Sequence, residues 1–152
     1  MSGRISHLFL KPGHGQPMLP VEVCQAVEGK GLAQDAAFGR SKRQVLLIES
    51  ETLQAFGIGP GDVRENVTVE GLELSQLAPS TQLCVGEAVL EVVGLCAPCS
   101  RMDEVRPGLQ DELQDRRGIL AYVISGGSMR VGDRISLLHG VPANPRGSSG
   151  QI

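Results

Sequence analysis

The sequence predicts a mainly β fold: a closed or nearly closed β barrel accompanied by two or three short helices. Apolar and polar residues alternate in many short stretches, each ended by turn residues. Twenty glycines and nine prolines in 152 residues supply those turns, while the absence of tryptophan leaves mainly aliphatic side chains for the core. Short strands joined by many turns are typical of small barrels.

The predicted strands are separated by Gly/Pro-rich turns or by short helical stretches. They cover residues 4–10, 21–27, 44–48, 66–69, 81–85, 88–93, 119–124 and 129–138. We expect the last two to form a hairpin through a turn at 125–128, with a tight turn or bulge at 131–133.

Two segments carry the signals of short helices. The first begins at Ser50, has an acidic first turn and ends near Gly57. The second runs from Pro107 to the arginines before Gly118, with Leu109 and Leu113 on one face. Both are short enough to pack against a barrel.

The chain reads as one domain over residues 1–138, followed by a flexible tail over 139–152 that has no periodicity. Its start is too interrupted for a signal peptide, and no run approaches the ~20 apolar residues of a membrane span. We therefore expect a cytoplasmic protein with reduced cysteines. The net charge of −3 and the scattered basic residues argue against a nucleic-acid partner.

The run Cys96-Ala-Pro-Cys99 follows the predicted strand 88–93 and is the most chemically suggestive feature. A Cys-x-x-Cys pair serves as half of a zinc site, as a thiol–disulfide couple, or as one reactive thiol with a neighbour. Both cysteines are also compatible with simple packing at the end of a strand. Spacing alone leaves these alternatives open.

Several segments occur in an order that resembles the MOSC domain, named for the C-terminal domain of molybdenum cofactor sulfurase. The most specific are the Arg-Glu-Asn element within residues 60–67 and the Ala-Pro-Cys element that ends at Cys99. The remaining matching segments are 31–35, 43–47, 71–74, 83–86, 90–92, 117–118, 126–127 and 131–135. The resemblance extends over roughly residues 4–138.

This resemblance implies a barrel that holds a pterin-bound molybdenum. It implies that Cys99 ligates the metal or carries a persulfide, and that Arg64 and Asn66 hold the cofactor's anionic groups. A planar guanidinium suits phosphate oxygens, and an amide donates to the ligand while accepting from the backbone. Without the resemblance, Arg64 would equally pair with Asp62 or Glu65 on the surface, and Asn66 would terminate a turn.

Two departures from the family pattern stand out. Many short members carry a histidine two residues after the position of Asp35, where this chain has Ala37. The sequence also shows neither the N-terminal β domain of the amidoxime-reducing relatives nor a cysteine-desulfurase domain, so we expect a minimal, stand-alone member. Cys96 is not required by the pattern and is interpreted as a packing residue or a resolving thiol.

The resemblance implies three candidate functions. The first is a molybdenum-dependent oxidoreductase that reduces small N-hydroxylated or related nitrogen compounds with electrons from a separate protein, the turn at 125–128 bordering its pocket. The second is a carrier that receives sulfur from a cysteine desulfurase, or holds the cofactor, on Cys99. The third is a degenerate domain that binds another protein.

Overall fold

The computed structural model describes residues 2–13 and 15–138, and strands dominate it as the sequence predicts. Within these ranges eleven strands and three short helices follow each other along the chain. The strands are β1 (Ser2–Leu10), β2 (Leu19–Val21), β3 (Val23–Val27), β4 (Gly31–Leu32), β5 (Val45–Glu49), β6 (Val67–Glu70), β7 (Gln82–Val85), β8 (Ala88–Leu95), β9 (Ile119–Ser125), β10 (Gly127–Arg130) and β11 (Arg134–Leu137). The helices are α1 (Ser50–Ala55), α2 (Met102–Val105) and α3 (Leu109–Glu112). The predicted tail 139–152 lies outside the described residues.

Seven strands of the described chain close into a barrel in the order β11, β7, β8, β9, β5, β6, β1. Pairing of β1 with β11 completes the ring, and β2 extends the sheet beyond β1. The pairing of β5 with β6 is parallel, whereas the other pairings in the ring are antiparallel. Register shifts in β1 and β8 mark bulges, which bend strands and help a sheet to curve. A separate sheet contains β10, β3 and β4.

Two clusters of apolar side chains lie on either side of β5, all five residues of which are buried. Val45 and Leu47 belong to the larger cluster, which gathers buried side chains from most of the strands. Ile48 belongs to a smaller cluster with Leu53 of α1, Val63, and residues of the α2 and α3 region. The short helices therefore cover the outside of the barrel wall, and the half-buried Cys99 packs against this second cluster.

The predicted hairpin after β9 is wrong. The segment after β9 divides into β10, which pairs with β3, and β11, which pairs with β1 and β7. A Cβ added at Gly126 would lie 2.8 Å from the carbonyl oxygen of Ala26, and one at Gly127 would lie 2.6 Å from that of Glu87. These glycines therefore let the chain pass close to other backbone, rather than reversing it in a tight hairpin.

The helix predicted from Pro107 to the arginines before Gly118 is reduced to the four residues of α3. Gly108, at φ +86°, supplies no side-chain cap, and Asp115 at φ +65° breaks any continuation. Leu109 and Leu113 are nevertheless buried in the smaller cluster, so the apolar spacing identified the inward face correctly. Helix α2 was not predicted from the sequence. None of the three helices within the described ranges is long and apolar enough to span a membrane.

Gly118 controls how β9 enters the barrel. Its φ is +113°, and an added Cβ would clash with the carbonyl oxygen of Leu47 on β5. Its own carbonyl accepts a 2.9 Å hydrogen bond from the backbone N–H of Cys96. The glycine therefore lets the start of β9 and the cysteine run lie against β5.

We expect Gly118→Ala to lower the free energy of unfolding by more than about 2 kcal/mol, because backbone strain and a clash with backbone act together. Gly132→Ala is the matched control. Gly132 also has positive φ, +94°, but nothing lies within 4 Å of an added Cβ, so about 1 kcal/mol is expected. Urea unfolding of both variants measures the difference, and equal losses would contradict the role given to Gly118.

Candidate functional site

Both cysteines follow the end of β8, and Cys99 packs against the smaller apolar cluster. Cys96 is buried, and its sulfur accepts a hydrogen bond from Nη1 of Arg117 at 3.5 Å. Cys99 is half-buried, and its carbonyl accepts a 2.9 Å hydrogen bond from the backbone N–H of Met102. Cys99 is therefore the more accessible thiol of the pair, whereas Cys96 packs into the protein.

Arg64 holds an unusual conformation beside this run. Its φ is +64°, a region that costs energy for any residue with a Cβ and that often marks a functional position. Its guanidinium forms no hydrogen bond or ion pair with the residues that the structure describes. The neighbouring acids bind backbone instead: Asp62 accepts from the N–H of Gly59 at 2.7 Å. The alternative of a surface ion pair for Arg64 is therefore not what the fold forms.

Several cations converge around Arg64. Burial, together with the charges of Arg101 and Arg117, lowers the pKa of the Arg64 guanidinium, and a Cys99 thiolate acts in the opposite direction. Burial and the nearby Arg64 likewise lower the pKa of Lys11. Like charges this close, with few carboxylates to balance them, create a positive potential that favours an anionic ligand.

Asn66 lies at the centre of this region and is 4% exposed. Its side-chain oxygen accepts from the N–H of Leu46 on β5 at 3.0 Å. Its amide nitrogen donates to the carbonyl of Phe9 on β1 at 3.1 Å and to Asp35 Oδ1 at 3.0 Å. Both amide hydrogens thus have protein partners, and the arrangement is that of a side chain that positions others. Its direct contact with a cofactor stays a prediction.

Asp35 extends the same network into the loop after β4. Its carboxylate accepts hydrogen bonds from the backbone N–H groups of Lys11 at 2.7 Å and Ala37 at 3.0 Å. Ala37, where many short relatives carry a histidine, presents only a methyl group to the adjoining cavity. The Asp35 carboxylate therefore holds this loop, and the side chain of Ala37 contributes no polar contact to it.

Two cavities flank the site. The first, of about 370 Å³, has Phe9, Met18, Arg64, Arg101 and Met102 among its walls. The second, of about 430 Å³, combines Asn66 and Cys96 with four basic side chains and no carboxylate among its described lining; the four are Lys11, Arg40, Arg43 and Arg117. Cys99 lies along the chain between Cys96 in the second lining and Arg101 in the first.

The turn at 125–128 does not border either cavity, contrary to the prediction. Ser125 pairs with Val89 near the start of β8, whereas the cysteines follow the opposite end, where Leu95 pairs with Ile119. Six residues of strand separate the two ends of β9, which is about 20 Å. Ser128 instead donates its backbone N–H to Glu87 at 3.2 Å.

Sequence reasoning missed the roles of Lys11 and Arg117 here, whereas Arg101 follows the cysteine run directly and its place near the thiol is visible in the sequence. Arg117 stood in a segment that matched the family pattern, which was the available signal, and Lys11 is brought in by the end of β1. Within the described ranges, no three His, Cys, Asp or Glu side chains form a group suited to holding a metal ion. The soft thiol of Cys99 is the candidate protein ligand.

Glu65 was also overlooked, and it supports the turn that carries Arg64. The side chain is fully buried, and its Oε2 accepts from the N–H of Gly61 at 2.8 Å and from the hydroxyl of Thr68 at 2.6 Å. Its Oε1 is buried with no hydrogen-bond partner among the described residues. Burial is the main cause that raises the pKa of this carboxyl.

Comparison with known families gives one clear match: the family model described as the MOSC domain matches residues 33–136. This confirms the resemblance drawn from the sequence motifs. A search of curated protein sequences found no match.

Solved structures with the same fold include proteins from three bacteria. YuaD from Bacillus subtilis has a TM-score of 0.79 and 20% identity, over 89% of this chain and 94% of that chain. YiiM from Escherichia coli has a TM-score of 0.71 and 18% identity, over 91% and 71%. YiiM from Geobacillus stearothermophilus has a TM-score of 0.70 and 18% identity, over 93% and 78%. At these identities the similarity establishes the fold alone.

The raised pKa of Glu65 predicts a pH-dependent difference between wild type and Glu65→Gln. As pH rises above 4.5, the ordinary glutamate value, the unfolded chain releases this proton while the folded protein keeps it. Wild-type stability therefore falls relative to the variant, by about 1.4 kcal/mol per pH unit, until the pH reaches the pKa of the folded carboxyl. Urea unfolding between pH 4 and 8 measures the difference, with Glu28→Gln as an exposed control. Parallel curves for wild type and Glu65→Gln would refute the assignment.

Proposed function

The chain belongs to the MOSC domain family, and on this premise we propose that it binds a molybdenum cofactor beside Cys99 and reduces small N-hydroxylated or related nitrogen compounds. The family match spans residues 33–136, and the MOSC domain is in general associated with the molybdenum cofactor. The family match supports binding of the cofactor in general. The reductase activity and the roles of the residues are what we propose.

The observation that carries the proposal is Arg64 beside Cys99: its backbone is strained, and its guanidinium has no hydrogen-bond partner among the described residues. A surface arginine normally takes an unstrained conformation and a solvated or paired position. Here the chain accepts positive φ, partial burial and two like-charged neighbours, and it gives the guanidinium no protein partner among the described residues. These costs are offset when an anion binds, since a charge-assisted, bidentate hydrogen bond is among the stronger polar contacts.

The residues present fit the chemistry of such a cofactor. The Cys99 thiolate is a soft ligand of the kind that transition metals accept, and Arg64, Lys11 and Arg101 offer donors to anionic groups. The buried Nε of Arg117 is without a hydrogen-bond partner in the described structure. When bound, the cofactor supplies a metal able to exchange two electrons and accept an oxygen atom.

The protein's own part in the reaction is to place and shield the thiol. The smaller apolar cluster lies behind Cys99 and keeps water from that side, while the cavity with Phe9, Met18 and Met102 offers an apolar wall to an organic substrate. We propose that electrons come from a separate donor protein.

The carrier function predicted as the alternative uses the same thiol. A half-buried Cys99 beside cations would equally hold a persulfide from a cysteine desulfurase, or hold the cofactor for transfer. The two functions differ in whether a hydroxylamine or amidoxime is reduced when electrons are supplied.

Metal content tests whether the cofactor binds at Cys99, and turnover then distinguishes the reductase from the carrier. From a host that makes the cofactor, wild-type protein should contain close to one molybdenum per chain, and Cys99→Ser should lose most of it, because a hydroxyl is a poorer ligand for the metal. Cys84→Ser, a change on β7, should keep it. Mass spectrometry measures the metal. Absence of metal from wild type overturns the proposal, and a cyanide-labile sulfur on Cys99 without turnover supports the carrier.

Replacing Arg64 separates its effect on stability from its effect on cofactor binding. Arg64→Gly removes the strain at φ +64°, so the free energy of unfolding should stay within about 1 kcal/mol of wild type or rise. Retained cofactor should fall roughly 10- to 100-fold, the effect of losing hydrogen bonds from a charged donor.

Gln34→Gly is the matched control, because Gln34 also has positive φ, at +70°, on an exposed part of the chain. It should gain similar stability with no loss of cofactor. Equal cofactor content in Arg64→Gly and wild type would show that Arg64 does not hold the ligand.

A further inference from the structure

Arg117 makes contacts that its neighbours do not. It precedes β9, and its Nη1 donates to the carbonyl of Ala97 at 3.2 Å and to the sulfur of Cys96 at 3.5 Å. Its Nη2 donates to the carbonyl of Val63 at 2.9 Å. One guanidinium thus binds two segments that are distant in sequence: the cysteine loop, residues 96–101, and the arginine loop, residues 59–66.

The two loops have no direct hydrogen bond to each other in the described part of the chain. Each has its own internal turn: the N–H of Met102 donates to Cys99 on one side, and the N–H of Arg64 donates to Gly61 on the other. Val63 of one loop belongs to the smaller apolar cluster and Cys99 of the other packs against it, but such apolar packing fixes no direction. The two ends of the Arg117 fork supply the directional link.

The shape of the side chain matters more than its charge for this link. An arginine has a rigid planar fork that reaches two acceptors at once, whereas a lysine is a single point donor on a flexible stem. The charge itself is unfavourable here, because Arg117 lowers the pKa of both Arg64 and Lys11. The Nε atom is also buried without a hydrogen-bond partner among the described residues.

The backbone next to Arg117 is tied to the barrel. Gly118 follows immediately, held close to β5, and its carbonyl accepts the N–H of Cys96 at 2.9 Å. The guanidinium therefore projects from a residue beside the start of β9, at the rim of the barrel, so it links both loops to the barrel wall.

We infer that Arg117 is a positioning residue that fixes the separation of the Cys99 thiol from the Arg64 guanidinium. This inference deepens the proposed function and rests on it, since a single ligand would have to meet both groups. Without the link both loops open more readily, and thiol and guanidinium no longer have one defined spacing.

The test compares Arg117→Lys with Arg116→Lys in cofactor-free protein. Both variants keep the charge, and Arg116 is an exposed neighbour that stacks on Phe56. Alkylation of Cys99 by iodoacetamide, followed by mass spectrometry from pH 6 to 10, reports the surroundings of the thiol. We expect Arg117→Lys to change the rate at least about threefold or to shift the pH midpoint, and Arg116→Lys to match wild type.

Hydrogen exchange makes the result independent of any loss of global stability. The amides of Cys96 and Arg64 should exchange faster in Arg117→Lys, and amides of β3, in the separate sheet, should not. Unchanged alkylation and unchanged exchange overturn the inference, as does equal acceleration everywhere.

Cofactor content then separates this inference from the proposed function. If wild type retains molybdenum, Arg117→Lys should retain less, and Arg116→Lys should not. If wild type retains none, the proposed function fails, while alkylation and exchange still decide whether Arg117 positions the two loops.

Discussion

The buried amide of Asn66 is the contact on which the arrangement of the cleft depends. It joins the end of β1 through Phe9, the wall strand β5 through Leu46, and the loop after β4 through Asp35. Asp35 in turn binds the backbone of Lys11, so the cation at the end of β1 is placed by the same network. Because a buried amide with an unmatched donor costs about 1–3 kcal/mol, the three segments are held in one arrangement or the network fails.

Positively charged side chains gather around this network, although the net charge of the chain is negative. The chain carries a net charge of −3, yet the second cavity has four basic side chains and no carboxylate among its described lining. Burial, and after it the charges of the neighbouring cations, lowers the pKa values of both Lys11 and Arg64. Such an arrangement is less favourable for the isolated fold than for a complex with an anion, so stability and ligand affinity are opposed at these positions.

Sequence patterns predicted the wall of the barrel well because strand signals are local. Alternation, buried runs and turn residues identified most of the strands in the closed ring, and the end of β8 was correctly placed before the cysteines. Which strands pair with each other was harder to predict. Gly126 and Gly127 indicate a hairpin locally, but in the fold they allow the chain to lie close to other backbone segments. The helix predicted from Pro107 onward was too long for a similar reason. The spacing of Leu109 and Leu113 indicates which side chains are buried, but it does not indicate where the helix ends.

Some residues of the candidate site were likewise predictable from the sequence, and others were not. Cys99, Arg64 and Asn66 stood in recognisable motifs, and the fold brings the first two close enough for their charges to interact. The contributions of Lys11 and Arg117 arise only when separate strand ends meet at one rim, so composition and spacing carry no signal for their convergence on Arg64. The motif also does not tell which member touches a ligand and which supports another.

The Arg-Glu-Asn element shows how three adjacent residues divide that work. Arg64 turns outward at positive φ, Glu65 turns inward to hold the N–H of Gly61, and Asn66 turns inward to join β1 to β5. Backbone strain at the first residue persists because buried hydrogen bonds of the next two over-determine the turn. An arginine on a free loop would relax away from its like-charged neighbours. Here the buried carboxyl and amide keep it beside Cys99, so the inward pair is as necessary to the cleft as the cation that faces it.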